Sequence, residues 1–224
     1  MTERSRQNPP PKLRSPQAPV VIAVAGCSGS GKTTLAAELA RTLGGVHFQF
    51  DHYYRDLTHL PLADRTKENF DDPALIESPL LIAHVAALAH GCTIDRPTYD
   101  FSTYTRVPNV PELIHAAPFL LVEGLFALYY PDLLPLYHLR VYVEAPDDIC
   151  FERRLRRDIE ERGRTPESFR QQYEATVRPS SIAFVCPSAA HADLIIDGTG
   201  DLDLKVERVL SEMHTRGLLG PVNL

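Results

Sequence analysis

The sequence predicts an α/β fold, a five-stranded parallel sheet with helices packed on both faces, and three observations carry that expectation. Short apolar runs recur along the chain, at Val20–Ala25, Val46–Phe50, Phe119–Gly124, Leu139–Glu144 and Asp193–Asp197, as buried strands require. Segments with helical spacing of apolar residues lie between the runs, and alternating strands and helices imply a parallel sheet covered on both sides. The first run leads directly into Gly26-Cys27-Ser28-Gly29-Ser30-Gly31-Lys32-Thr33-Thr34, a G-x-x-x-x-G-K-[ST] loop in its required setting between strand and helix.

Residues 1–18 are rich in Pro, Ser, Gln and basic side chains with almost nothing apolar, so they are expected to form a disordered tail. One folded domain is expected over 19–216, with a short tail at 217–224. The helix after the glycine loop should stop at Gly44-Gly45. A second strand, 46–50, ends on Asp51, and residues 52–72 form a polar, aromatic connection long enough to suggest a functional loop. A helix is expected from Ser78 to His90, stopping at Gly91. Thr93 to Arg106 reads as a small hairpin outside the main sheet, with Pro97 confining it to an edge. After the strands at 119–124 and 139–144 come a strongly charged helix, Pro146 to about Arg162, and a second from Pro166 to Val177. The last strand, 193–197, precedes a closing helix from Asp203 to about His214.

A net charge of -6 disfavours non-specific binding to nucleic acid or to acidic membranes. No apolar run reaches membrane-spanning length, and the N-terminus lacks a secretion signal, which points to the cytoplasm. Cys27, Cys92, Cys150 and Cys186 form no C-x-x-C pair and suit reduced thiols. Cys27, inside the loop, is read as a small residue that fits there, without an assigned role; sensitivity to oxidation is the alternative.

The loop predicts a triphosphate site. Gly26, Gly29 and Gly31 let backbone N–H groups wrap a phosphate chain, together with Ser28, Ser30 and Thr34, and the helix start adds its positive end. Lys32 reaches the β- and γ-phosphates, and the Thr33 hydroxyl is a ligand for Mg²⁺. The loop alone leaves switch GTPases, motor ATPases and small-molecule kinases open. Asp197-Gly198-Thr199-Gly200 fits the D-x-x-G of a GTPase but follows the last strand, where a turn is the better reading, and N-K-x-D is absent.

A kinase needs a carboxylate beside the loop to deprotonate an acceptor hydroxyl. Asp51 ends the strand after the first helix, where parallel sheets place ligands, and is the expected base. His52 is the rival, one residue on and expected to face away. Glu123 closes the central strand in the position of a Mg²⁺-holding carboxylate. Arg153, Arg157 and Arg164 are expected to converge from a charged helical lid on the transferring phosphoryl group.

With those residues in view, the chain resembles the uridine–cytidine kinases, a branch of the P-loop kinases related to phosphoribulokinase. The likeness rests on 26–34, on Phe50-Asp51-His52-Tyr53-Tyr54-Arg55-Asp56, and on Asn69-Phe70-Asp71-Asp72-Pro73. It continues through Tyr99-Asp100-Phe101, Val122-Glu123-Gly124, Arg153 to Arg164, and Gln172-Tyr173. The resemblance implies a P-loop NTPase fold and transfer of the γ-phosphate of ATP or GTP to the ribose 5′-hydroxyl of uridine or cytidine. It also implies Mg²⁺ and, commonly, a homotetramer. Matched by position, Asp51 is the base, and Asp71 takes the ribose hydroxyls with Arg164 and Gln172 nearby. Tyr54, Phe70 and Tyr99 surround the nucleoside, Arg154 lies near the sugar and phosphate, and Arg157 and Arg162 belong to the lid. Where many members carry a histidine that reads the pyrimidine 4-substituent, this chain has Tyr104. A phenol both donates and accepts but is fixed in its ring plane. Tyr104 is therefore expected to skew the choice toward cytidine, a simple hairpin cap being the alternative. A kinase of another hydroxylated metabolite, such as a phosphorylated sugar or pantothenate, and a nucleotide-binding regulator without an acceptor remain as competing readings.

Overall fold

The computed structural model describes residues 18–162 and 164–219, without the side chains of Glu161 and Arg162. Apart from Ala18, the N-terminal tail expected over 1–18 lies outside the described residues, as do residues 220–224 of the C-terminal one. Nine strands are described: β1 (Val20–Ala25), β2 (Val46–Gln49), β3 (Ile94–Arg96), β4 (Tyr99–Asp100), β5 (Thr105–Arg106), β6 (Glu112–Ile114), β7 (Phe119–Glu123), β8 (Leu139–Glu144) and β9 (Leu194–Asp197). The main sheet has the order β2-β7-β1-β8-β9 with every pair parallel. It is the five-stranded sheet expected from the sequence.

Side-chain alternation along the strands builds two cores. Val21, Ala23 and Ala25 of β1 join Phe48, Leu120 and Val122 on one face, where the Ser78–Ala89 helix adds Leu81, Val85 and Leu88. Ile22 and Val24 join Leu121, Val141 and Val143 on the other, against Leu35 and Leu39 of the Lys32–Leu43 helix and Val206, Val209 and Met213 of the Leu202–Thr215 helix. Gly44 ends the first helix in the left-handed conformation at φ 62, as its position predicts. Asp201 caps the last helix by accepting from the amides of Asp203 and Leu204.

Three local expectations are corrected. The second strand stops at Gln49, and Asp51 sits in a 3₁₀ turn, Phe50–Tyr53, that lifts it off the strand end. The small hairpin is larger than the segment 93–106. It consists of two antiparallel ladders, β4 with β5 and β3 with β6, reaching Ile114. The helix expected to end at Val177 begins at Pro166 but continues through π-turns at Tyr173–Val177 and Ser181–Val185 to Ser188. The helix runs through Pro179 and Pro187, although proline lacks an N–H and clashes with the carbonyl four residues back. A π-turn before each one widens the ladder and lets the helix pass.

Candidate active site

The glycine loop and most of the residues singled out from the sequence lie at the carboxyl edge of the sheet, where a parallel sheet leaves its crevice. The glycine loop follows β1, the Asp51 turn follows β2, Glu123 closes β7, and the Asp147–Arg162 helix follows β8. Two glycines of the loop are required by the space they occupy. Gly29 has φ +88, and a Cβ there would lie 2.5 Å from the Cys150 carbonyl. Gly26 has φ +150 and would place a Cβ 2.4 Å from the carbonyl of Val143. Gly31 precedes the helix that carries Lys32, Thr33 and Thr34, and Ser30 is fully buried with a hydroxyl that has no partner among the described residues.

The Thr33 hydroxyl donates to Glu123 Oε1 at 2.9 Å, and Lys32 Nζ lies 3.8 Å from the same oxygen. His47 Nε2 stands 3.7 Å from Oε2. Burial of Glu123 favours its neutral form, but His47, Lys32 and Thr33 together hold its carboxyl below the usual range. An ionised carboxylate beside a hydroxyl is a pair of hard oxygen donors that fits a small divalent cation.

One cleft is lined by Ser28, Lys32, Thr33 and Asp51 on the loop side and by Tyr54, Phe70, Asp71 and Tyr104 on the other. Arg154 and Arg157 of the Asp147–Arg162 helix, Gln172 of the Pro166–Gln172 helix and Arg164 between the two helices close it. Asp71 and Arg154 form a buried, two-pronged ion pair, with Nη1 donating to Oδ1 at 2.7 Å and Nη2 to Oδ2 at 2.8 Å. Burial works against the Arg154 charge, and Asp71 more than reverses that, holding the guanidinium firmly protonated. Arg157 Nη2 donates to the Ser28 hydroxyl at 3.4 Å, which bridges the helix to the loop. Arg164 donates to Gln172 Oε1 and lies 3.6 Å from the buried Asp158.

Tyr54 donates to the carbonyl of Phe70 at 2.9 Å and meets its ring edge-on. Tyr104 packs on Phe70 at 5.2 Å between centroids. Its backbone is left-handed at φ 55, a conformation costing an aromatic residue about 1–3 kcal/mol, so the surrounding structure holds it in place. Tyr99 is not among the lining residues; it is buried one layer behind, against Tyr54 and Phe101. The Arg162 side chain lies outside the described residues.

Arg153 departs from expectation. It turns away from the cleft and donates to the carbonyls of Gly29, Ser30 and Gly198 at 3.2, 3.4 and 3.1 Å, bracing the loop from behind. Arg157 and Arg164 do line the cleft. The Asp197 carboxylate accepts from the Thr199 amide and hydroxyl, so Asp197-Gly198-Thr199-Gly200 is the turn expected of it. Sequence reasoning missed His47, Phe101 and Leu125. Phe101 falls in the Tyr99-Asp100-Phe101 segment that carries the family resemblance but was given no role, and Leu125 carries no signal separable from core packing. His47 does once β2 is known to pair with β7, because alternation then puts it on the Glu123 face.

His52 does not line the cleft. Burial, aided by Arg96, pushes its pKa down to about 4 from the ordinary 6.5. Between those values the unfolded chain binds a proton that the folded chain does not, so stability falls as pH drops from 6.5 toward 4. Thermal unfolding across this range should show a decline that is shallower in His52→Gln.

A glycine loop between strand and helix, a β-strand carboxylate beside its threonine, and an arginine-bearing helix over both define the class of P-loop kinases. The sequence profile of the phosphoribulokinase / uridine kinase family matches residues 21–205. The chain belongs to this family. A uridine kinase of Chloroflexus aggregans is 43% identical over 199 residues, covering 88% of this chain and 95% of that one. A uridine kinase of Deinococcus deserti is 46% identical over 200 residues, covering 88% and 96%. Among solved structures, a putative fructose transport system kinase from a Silicibacter species aligns with a TM-score of 0.65 at 20% identity, over 82% of this chain and 93% of that one. Phosphoribulokinase from Rhodobacter spheroides aligns at 0.58 with 15% identity, over 82% and 73%. At such identities the structural likeness is one of fold.

Proposed function

We propose that this chain is a pyrimidine ribonucleoside kinase that transfers the γ-phosphate of ATP or GTP to the 5′-hydroxyl of uridine or cytidine, in pyrimidine salvage. The observation that carries the reading is that Lys32 and Thr33 of the phosphate loop line one cleft together with Asp51, Asp71 and an aromatic wall. It agrees with the name shared by relatives that match most of the chain.

In this reading Gly26 to Thr34 cradle the triphosphate, and Lys32 and Arg157 offset the charge that spreads over the phosphoryl oxygens during transfer. Asp51 accepts the proton of the 5′-hydroxyl as its oxygen attacks phosphorus. Thr33 and Glu123 are the donors that would hold Mg²⁺, which neutralises phosphate charge when bound. Asp71 keeps unused lone pairs on both oxygens beside Arg154, enough to accept from the ribose 2′- and 3′-hydroxyls. Arg164 and Gln172 close that end, and Arg162 belongs to the same lid. Tyr54 and Phe70 hold the flat base, with Tyr99 supporting Tyr54 from behind. The chain is taken to act in the cytoplasm as a homo-oligomer, with neither nucleic acid nor membrane as a partner. Among the described residues no helix is long and apolar enough to cross a membrane.

A parallel assay of ADP release with uridine, cytidine and their 2′-deoxy forms, against ATP and GTP, tests the reading. The ribonucleosides should turn over and the deoxynucleosides should be poor, because a carboxylate left facing a missing hydroxyl loses its partner. Comparable turnover of all four would contradict the role given to Asp71. Tyr104 accepting from the cytosine amino group should favour cytidine in kcat/KM by about two- to tenfold, the worth of one neutral hydrogen bond. Tyr104→His should bring the two nucleosides level; equal wild-type values unchanged by the substitution would leave Tyr104 a hairpin cap.

A further inference from the structure

Cys27 is the second residue of the phosphate loop, and its Sγ lies 3.8 Å from Sγ of Cys186, 159 residues further on. Cys186 opens the short helical segment that follows the second π-turn. The two thiols lie side by side in the wall of a second pocket, which meets the cleft at Ser28 and has Cys150, Tyr173 and Ile182 in its walls. Cys186 is exposed, whereas Cys27 is partly covered. The phosphoryl transfer described above uses neither thiol. Disulfide sulfurs stand about 2.05 Å apart, so bonding these two needs a closing movement of roughly 1.8 Å.

We propose that Cys27 and Cys186 are a peroxide-sensitive modification site, forming a reversible intramolecular disulfide that withdraws the phosphate loop from triphosphate binding. This rests on the reading of residues 26–34 as the triphosphate site. The order of events follows from exposure and acidity. Burial, reinforced by the neighbouring Cys186, pushes the Cys27 thiol up to about 12, so it stays protonated near neutral pH. The exposed Cys186 is the thiol that hydrogen peroxide reaches first. Its thiolate attacks one peroxide oxygen, an S–O bond forms, the O–O bond breaks, and the departing hydroxide takes a proton to become water. Cys27 then attacks the Cys186 sulfenic sulfur. The S–S bond forms, the S–O bond breaks, and the leaving hydroxide takes the Cys27 proton. In sum two thiols lose two electrons and one peroxide becomes two waters. Drawing Cys27 toward Cys186 drags its neighbour Ser28, whose hydroxyl lines the cleft and accepts from Arg157.

The full chain, treated with a slight molar excess of hydrogen peroxide, alkylated and digested, should give a Cys27–Cys186 linked peptide that dithiothreitol abolishes. Binding of a fluorescent ATP analogue should weaken about tenfold or more in the oxidised protein and recover on reduction. Cys186→Ser should bind like the untreated wild type and keep binding after peroxide, while Cys92→Ser should respond like the wild type. Absence of the linked peptide, a Cys27–Cys150 link in its place, or equal peroxide sensitivity of Cys186→Ser overturns the proposal. A linked peptide with unchanged nucleotide affinity overturns its effect on the loop. Failure of the untreated chain to bind the analogue would count against the triphosphate site itself, and the peptide map would still decide whether the disulfide forms.

Discussion

Asp51→Asn should lower kcat for nucleoside phosphorylation by about 10²–10⁴-fold while leaving ATP affinity near that of the wild type. The amide matches the carboxylate in shape, so the 3₁₀ turn Phe50–Tyr53 and the packing of Tyr53 and Tyr54 should persist. What it cannot do is accept a proton from an attacking hydroxyl. Asp51 is exposed in the cleft that also contains Lys32 and Thr33, so a nucleoside lying across the aromatic wall would present its 5′-oxygen between them. A role limited to the turn predicts the reverse pattern, a lowered unfolding temperature with turnover retained. Steady-state kinetics, nucleotide titration and thermal unfolding of one preparation separate the two.

Asp71→Asn should be costly in another way. The Arg154 guanidinium is 7% exposed and spends two of its donors on Asp71. Removing the negative partner leaves a buried charge uncompensated, which costs about 3–5 kcal/mol. The variant should therefore unfold at markedly lower denaturant, and what folds should have lost its ribose recognition. The double variant Asp71→Leu with Arg154→Met separates these effects. Replacing both members of a buried pair by apolar side chains is often neutral or stabilising, so stability should return while nucleoside phosphorylation stays lost. Recovery of activity along with stability would make the pair structural only. Chemical denaturation and kcat/KM for uridine, measured on all three proteins, decide it.

Much of this was legible in the chain because it follows from local rules. The glycine loop sits between an apolar run and a helical period, and strand, loop and helix formed where those patterns placed them. Glu123 at the end of a continuous apolar run came to lie against Lys32 and Thr33 because parallel strands end at that edge. The parts that escaped depend on three-dimensional context. The helix through Pro179 and Pro187 survives only because π-turns absorb both prolines, and no sequence pattern announces a π-turn. Arg153 and Arg157 are four residues apart on one helix, yet one braces the loop and the other lines the cleft. Their roles are set by where Gly198 and Ser28 lie, which helical spacing does not encode. The Asp71–Arg154 pair spans 83 residues, and each partner was given a place near the sugar only through family resemblance. That they neutralise one another is a fact of the fold.

The most direct test of the central claim is the identity of the product. With ATP, Mg²⁺ and uridine, ³¹P NMR and mass spectrometry should find uridine 5′-monophosphate in equal amount to ADP. Under the same conditions 5′-deoxyuridine should release no ADP above background. Phosphate on the 2′- or 3′-oxygen, or ADP release that does not depend on a nucleoside, would contradict it.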